Sequence, residues 1–162
     1  MTEEEMKFSI QVNLDKAKNK TWVAFVLIAI SILSYVAPLL LGEFDFGLIF
    51  EGISLVFLCI SRIYMGKYDE IRAKRYNICA ILSIGWLLVY DIITLGIAIV
   101  QGKSMLSLGL YYLWEQAFTI AYIVALFTIQ KNLVKANDPI KYRESTDWFY
   151  ETYEQKNEHS KK

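Results

Sequence analysis

The sequence has one histidine, His159, two cysteines, Cys59 and Cys79, and no net charge. A single histidine close to the C terminus supplies no His-ligated haem or His-containing zinc site in the apolar part of the chain. The two cysteines lack metal-ligand or Cys-x-x-Cys spacing and read as small apolar residues. There is no Gly-rich phosphate loop and no Ser-His-Asp set. With 17 basic and 17 acidic residues, the chain does not carry the positive field that non-specific nucleic-acid binding requires. These absences predict no metal, no cofactor, no nucleic-acid partner and a non-enzymatic role.

Apolar residues are abundant, at 55% of 162, while 21% of residues are charged. The two populations segregate into four long apolar runs with charges between and outside them. Runs of about 18 or more apolar residues read as membrane-spanning helices. The expected fold is an all-α integral membrane protein, a four-helix transmembrane bundle built as two antiparallel hairpins. Its spans are placed at 21–41, 47–65, 78–100 and 106–130, making one domain over 21–130. An N-terminal segment, 1–20, and a C-terminal tail, 131–162, flank it. Neither is long enough to hold a soluble catalytic domain. The run at 21–41 exceeds a signal-peptide core of about 7–15 residues, and no small-x-small site follows it, so it reads as a retained span.

Sixteen of the 17 Lys and Arg residues fall in 1–20, 62–75 and 131–162; Lys103 is the exception. The positive-inside rule then places both termini and the middle link in the cytoplasm. Cys59 and Cys79 lie in the inner halves of their spans, away from an oxidising compartment, and no disulfide is expected. A composition rich in Lys, Asn, Ile and Tyr suggests an AT-rich bacterial genome, and so a bacterial plasma (inner) membrane.

Ionisable groups inside a span are costly and mark polar interiors or functional sites. Asp91 and Glu115 each lie nine residues from the outer end of their runs. That is roughly 14 Å at 1.5 Å per residue, near the middle of a core about 30 Å thick. Glu51 sits four residues into its span and is expected to reach the outer interface. Small or polar residues recur at three- and four-residue spacing in every span. They are Ser31, Ser34, Tyr35 and Pro38; Glu51, Ser54, Ser61 and Arg62; Ala80, Asp91, Thr94 and Ala98; Tyr112, Glu115, Thr119 and Tyr122. Facing one another, these stripes form a polar chamber. Asp91, Glu115, Glu51, Tyr35, Tyr112, Tyr122, Thr119 and Ser34 are its candidate site residues. Two uses compete: binding of a proton or cation, or protonated acids joining helices by hydrogen bonds. Arg62 is expected to snorkel to the inner headgroups.

At the N terminus, Phe8, Ile10, Val12 and Leu14 alternate with polar residues. They scatter round a helix but share one face of a strand, so a short strand over 8–14 is expected. It would need a second strand as partner. In the C-terminal tail, Asp138-Pro139 reads as a helix start. Beyond it, Tyr142, Phe149, Tyr150 and Tyr153, with Trp148 nearby, make an aromatic face suited to headgroups or to docking. The expectation is a multipass subunit in the lipid bilayer, a homo-oligomer or part of a larger membrane complex. Its cytoplasmic tails would engage a partner protein, in a transport, immunity or phage-defence setting. The rival expectation is an oligomeric channel or proton- or cation-coupled carrier that uses the carboxyls.

Overall fold

A computed structural model describes residues 3–35, 39–40, 42, 45–101 and 105–139, without the side chains of residue 3 and residues 105–115. It is all-helical. Helix α1 is Glu3–Ser34, α2 is Gly47–Gly66, α3 is Glu70–Val100 and α4 is Met105–Asn137. All four are long and apolar enough to cross a membrane, which suggests a multipass membrane protein. At 1.5 Å per residue, α2 is about 30 Å long, whereas α1, α3 and α4 each approach 50 Å.

One spacing repeats through the buried positions. Among them are Leu14, Ala17, Thr21, Ala24, Ile28 and Ser31 in α1, with Tyr35 just after it; Gly47, Glu51, Ser54, Leu58, Ser61 and Met65 in α2; Ala73, Asn77, Ala80, Ile84, Leu87 and Asp91 in α3; Thr119, Tyr122, Leu126, Ile129, Leu133 and Ala136 in α4. Steps of three and four alternate, a mean of about 3.5 residues, the period of helices in a left-handed bundle. The opposite faces present Trp22, Val26, Ile53, Val56, Leu82, Trp86, Val124 and Phe127, all exposed. Apolar outer faces and small or polar inner residues are what a helix bundle in lipid requires, because lipid offers no hydrophobic drive for helix association. Packing is most extensive between α1 and α4 and between α2 and α3; α3 with α4, and α1 with α2, touch less.

The strand expected over 8–14 is absent: these residues belong to α1. Leu14 is fully buried, Ile10 is half-buried and Phe8 is exposed, so the alternate positions share no face. Two physical terms outweigh the local alternation. No Pro or Gly interrupts 3–34, so the helix extends cheaply once nucleated. Leu14 and Ala17 also join the core that holds Leu133 and Ala136 of α4. Residues 3–20 thus continue into the helix of the first span, and α1 ends at Ser34 rather than residue 41. Likewise α4 runs seven residues past the span placed at 106–130, and α3 begins at Glu70, carrying the helix of the third span into the link that precedes residue 78.

The α2–α3 turn is tight. Asp69 N donates to Tyr64 O at 3.0 Å and Tyr68 N to Met65 O at 3.2 Å, the paired bonds of a Schellman C-cap. Its left-handed position is filled by Tyr68, with φ 57°, where glycine is the usual occupant. Asp69 then caps α3 by accepting from Arg72 N at 3.0 Å.

Candidate functional site

Hydrogen bonds between helices fix their registers. Ser54 Oγ donates to Ala80 O at 3.0 Å and Ser61 Oγ to Ala73 O at 2.7 Å. One residue down α2 therefore matches one residue up α3. Ser31 Oγ donates to Glu51 Oε1 at 2.5 Å, while Arg62 donates to Lys18 O at 2.7 Å and to the Thr21 hydroxyl. On the other side, Asn77 Nδ2 donates to Leu126 O at 3.2 Å and to Gln130 Oε1 at 2.9 Å. Gln116 Nε2 donates to Asp91 Oδ2 at 2.5 Å. Lys20, Arg62, Arg72 and Lys131 therefore ring one level of the bundle. The end beyond that girdle, which holds the α2–α3 turn, is called the basic end below; the opposite end is the far end.

Glu51 is only 1% exposed, so it faces the bundle interior rather than an interface. It lies level with α3 residue 83, and Asp91 stands about eight residues, roughly 12 Å, farther toward the far end. This reverses the expected order of depth. The reason is that helices α2 and α3 do not share a far end. A Cβ on Gly47, the first residue of α2, would meet Leu87 Cδ1 at 3.0 Å, and α3 continues beyond Leu87 to Val100. Counting inward from the ends of the apolar runs assumed flush helices.

Tyr35 closes the space above Glu51. Its hydroxyl would lie 2.8 Å from a Gly47 Cβ, one helical turn from Glu51. A side chain at 47 would force the Tyr35 tip to shift, and Asp45 Oδ1 and Leu87 Cδ1 press on the same point at 3.0 Å. Asp45 also accepts from Gly47 N at 2.6 Å, and it is near enough to Asp91 for their charges to interact. On the basic side of Glu51, the Tyr122 and Ser54 hydroxyls meet at 3.0 Å. Tyr122 is also within electrostatic reach of Glu51. Thr119 is buried on the same face of α4.

The structure thus gathers Glu51, Tyr35, Tyr122, Thr119 and Asp91 into one interior. It leaves Ser34 half-buried, with its hydroxyl bonded to Ser31 O at 2.6 Å. Thr94 likewise bonds back within its own helix, to Tyr90 O at 2.9 Å. Glu115 lies on α4 next to Gln116; its side chain and that of Tyr112 are outside the described residues, as is Pro38. Tyr142, Trp148, Phe149, Tyr150 and Tyr153 are outside them too. Val12 is half-buried on α1. Arg62 bonds to Lys18 O and the Thr21 hydroxyl of α1, and its guanidinium lies 4.6 Å from the Trp22 ring centroid. Gln116, Asn77, Gln130 and Thr21 were not anticipated. Their common signal is a polar residue within or at the edge of an apolar run, on or beside the 3.5-residue repeat.

At the basic end, an open groove of about 270 Å³ is lined by Lys7, Ile10, Gln11, Tyr68 and Glu70. Gln11 Nε2 donates to the Tyr68 hydroxyl at 3.4 Å. Comparison of the chain with family models, with curated proteins and with solved structures gives no match.

Proposed function

We propose that this chain is a non-enzymatic membrane subunit, oligomeric or part of a larger complex, whose basic end lies in the cytoplasm and engages a partner protein. The positive-inside asymmetry supports the orientation. The observation that carries the docking is Tyr68. A non-glycine residue in the left-handed region costs about 1 kcal/mol or more, and such strain clusters where a side chain has a task. Tyr68 is 49% exposed and lines the groove beside Lys7, Ile10 and Gln11. An aromatic ring with a hydroxyl tip is a typical anchor at protein interfaces. The test is Tyr68→Gly. It should raise stability in a detergent-denaturation titration by about 1 kcal/mol and reduce crosslinking and co-purification of the partner from native membranes. A stabilised variant that keeps its partner would refute the docking reading.

A second reading assigns the interior carboxyls to proton or cation binding. The observation favouring it is the depth of Glu51. Counted from Arg62, it lies about eleven residues, roughly 16 Å, along α2, the middle of a core about 30 Å thick.

A further inference from the structure

We propose that the crevice between α1 and α2 at the basic end binds the phosphate of an anionic phospholipid, with Lys18 and Arg62 as its cations. Such a site is independent of the groove's partner and of the interior carboxyls.

Two stripes border this crevice. On α1 it is Lys18, Trp22 and Phe25; on α2 it is Leu55, Cys59, Arg62 and Gly66. Each runs in steps of three and four, one residue along from the buried stripe of its helix. Both therefore lie at the edge of the helix contact, where α1 and α2 touch less than α1 and α4 do. Arg62 reaches across. Its two bonds to α1, to Lys18 O at 2.7 Å and to the Thr21 hydroxyl, both start from Nη1. The guanidinium lies 4.6 Å from the Trp22 ring centroid and 5.8 Å from that of Phe25. Contact with a ring uses the face of a guanidinium and leaves its edge for hydrogen bonds. The donors on Nε and Nη2 meet no acceptor among the described residues.

The Lys18 ammonium lies 3.8 Å from the position of a Cβ on Gly66. Gly66 is one turn, roughly 5 Å, along the same face of α2 from Arg62. Neither Lys18 nor Arg62 forms an ion pair with a described residue, whereas Arg72 on the α2–α3 side pairs with Asp69 at 3.4 Å. Two neighbouring cations repel, and an anion between them turns that repulsion into attraction. A phosphate suits the place, because its oxygens accept several charge-assisted bonds and match a guanidinium edge bidentately.

The surroundings select a lipid phosphate over a soluble one. Trp22 is 62% exposed at the level of the basic girdle, and Trp is favoured where headgroups meet hydrocarbon. Toward the far end the same stripes turn apolar, with Phe25 on α1 and Cys59 and Leu55 on α2, a bed for an acyl chain. A net-negative headgroup is preferred, since the cation of a choline or ethanolamine headgroup would face Lys18 and Arg62.

The test uses the full-length protein in detergent with dioleoylphosphatidylglycerol or dioleoylphosphatidylcholine, and native mass spectrometry reads the lipid retained at each concentration. A cation at a membrane surface contributes about fivefold in affinity for an anionic lipid. Two should make the protein prefer phosphatidylglycerol by roughly twentyfold. Lys18→Gln changes an ammonium that bonds to no described residue, so the fold should persist while the preference falls about fivefold. Lys18→Gln with Arg62→Gln should bring the two lipids near parity. Lys67→Gln with Arg72→Gln removes the same charge from the α2–α3 face and should leave the preference unchanged. Equal retention of both lipids by the unaltered protein, a preference that survives Lys18→Gln, or an equal loss in the Lys67, Arg72 control would overturn the site. Millimolar glycerol phosphate should not displace the lipid; displacement would mark a site for soluble phosphate and overturn the lipid assignment.

Discussion

The two halves of the bundle use polar residues in opposite ways. In the half nearer the basic end, polar side chains donate to backbone carbonyls of the adjacent helix: Ser61 to Ala73, Asn77 to Leu126, Arg62 to Lys18, and Ser54 to Ala80 at the midpoint. A carbonyl acceptor does not change with pH or ligand, so these bonds clamp. In the half nearer the far end, the polar side chains that bond between helices donate to carboxyls, Ser31 to Glu51 and Gln116 to Asp91, while Ser34 and Thr94 bond within their own helices. A carboxyl changes charge and donor capacity on taking up a proton. The same kind of residue therefore donates to fixed acceptors in one half and to ionisable ones in the other.

Substitutions can break that comparison at different points. The largest loss is expected from Ala80→Leu, because Ala80 sits where Ser54 reaches the α3 backbone. Overpacking there should cost about 1–3 kcal/mol, visible in a denaturant titration in detergent. Asn77→Ala removes two bonds; at about 0.6 kcal/mol per intramembrane bond, roughly 1 kcal/mol should go. Ser61→Ala should cost about 0.6 kcal/mol and leave any pH response of the protein unaltered. In the other half, Glu51→Gln keeps shape and hydrogen bonding, so stability should move by less than about 0.6 kcal/mol. Phe8→Ser, at an exposed position on α1, should leave stability unchanged and report only on partner attachment. If Ser61→Ala alters pH dependence, or Glu51→Gln unfolds the protein, the division between clamp and titratable interior fails.

Much of this division was legible in the residues. Four spans follow from run length, and the small and polar stripes at three- and four-residue spacing were visible before any contact was known. Ser31, Glu51, Ser54, Tyr122 and Asp91 all lie on them. Depth was not legible, because it depends on the register between helices. Nothing in the sequence of α3 says that Leu87, rather than a residue near Val100, stands beside Gly47. The fate of 8–14 was not legible either: an alternating pattern is decided by what it packs on, and Leu133 and Ala136 lie more than a hundred residues away. Tyr68 escaped for a third reason. Its meaning lies in a backbone angle, and Tyr-Asp after Lys67 is not a glycine signal.

The proposed placement of the basic-end groove in the cytoplasm depends on which end of the bundle faces that side. One measurement addresses it directly. In a chain with Cys59→Ser and Cys79→Ser, single cysteines are placed by Gln101→Cys at the far end and by Lys67→Cys in the α2–α3 turn, both exposed positions. Intact cells are then treated with a membrane-impermeant maleimide. The account predicts labelling of Gln101→Cys in intact cells and of Lys67→Cys only after permeabilisation; labelling of Lys67→Cys in intact cells, with Gln101→Cys protected, would contradict it.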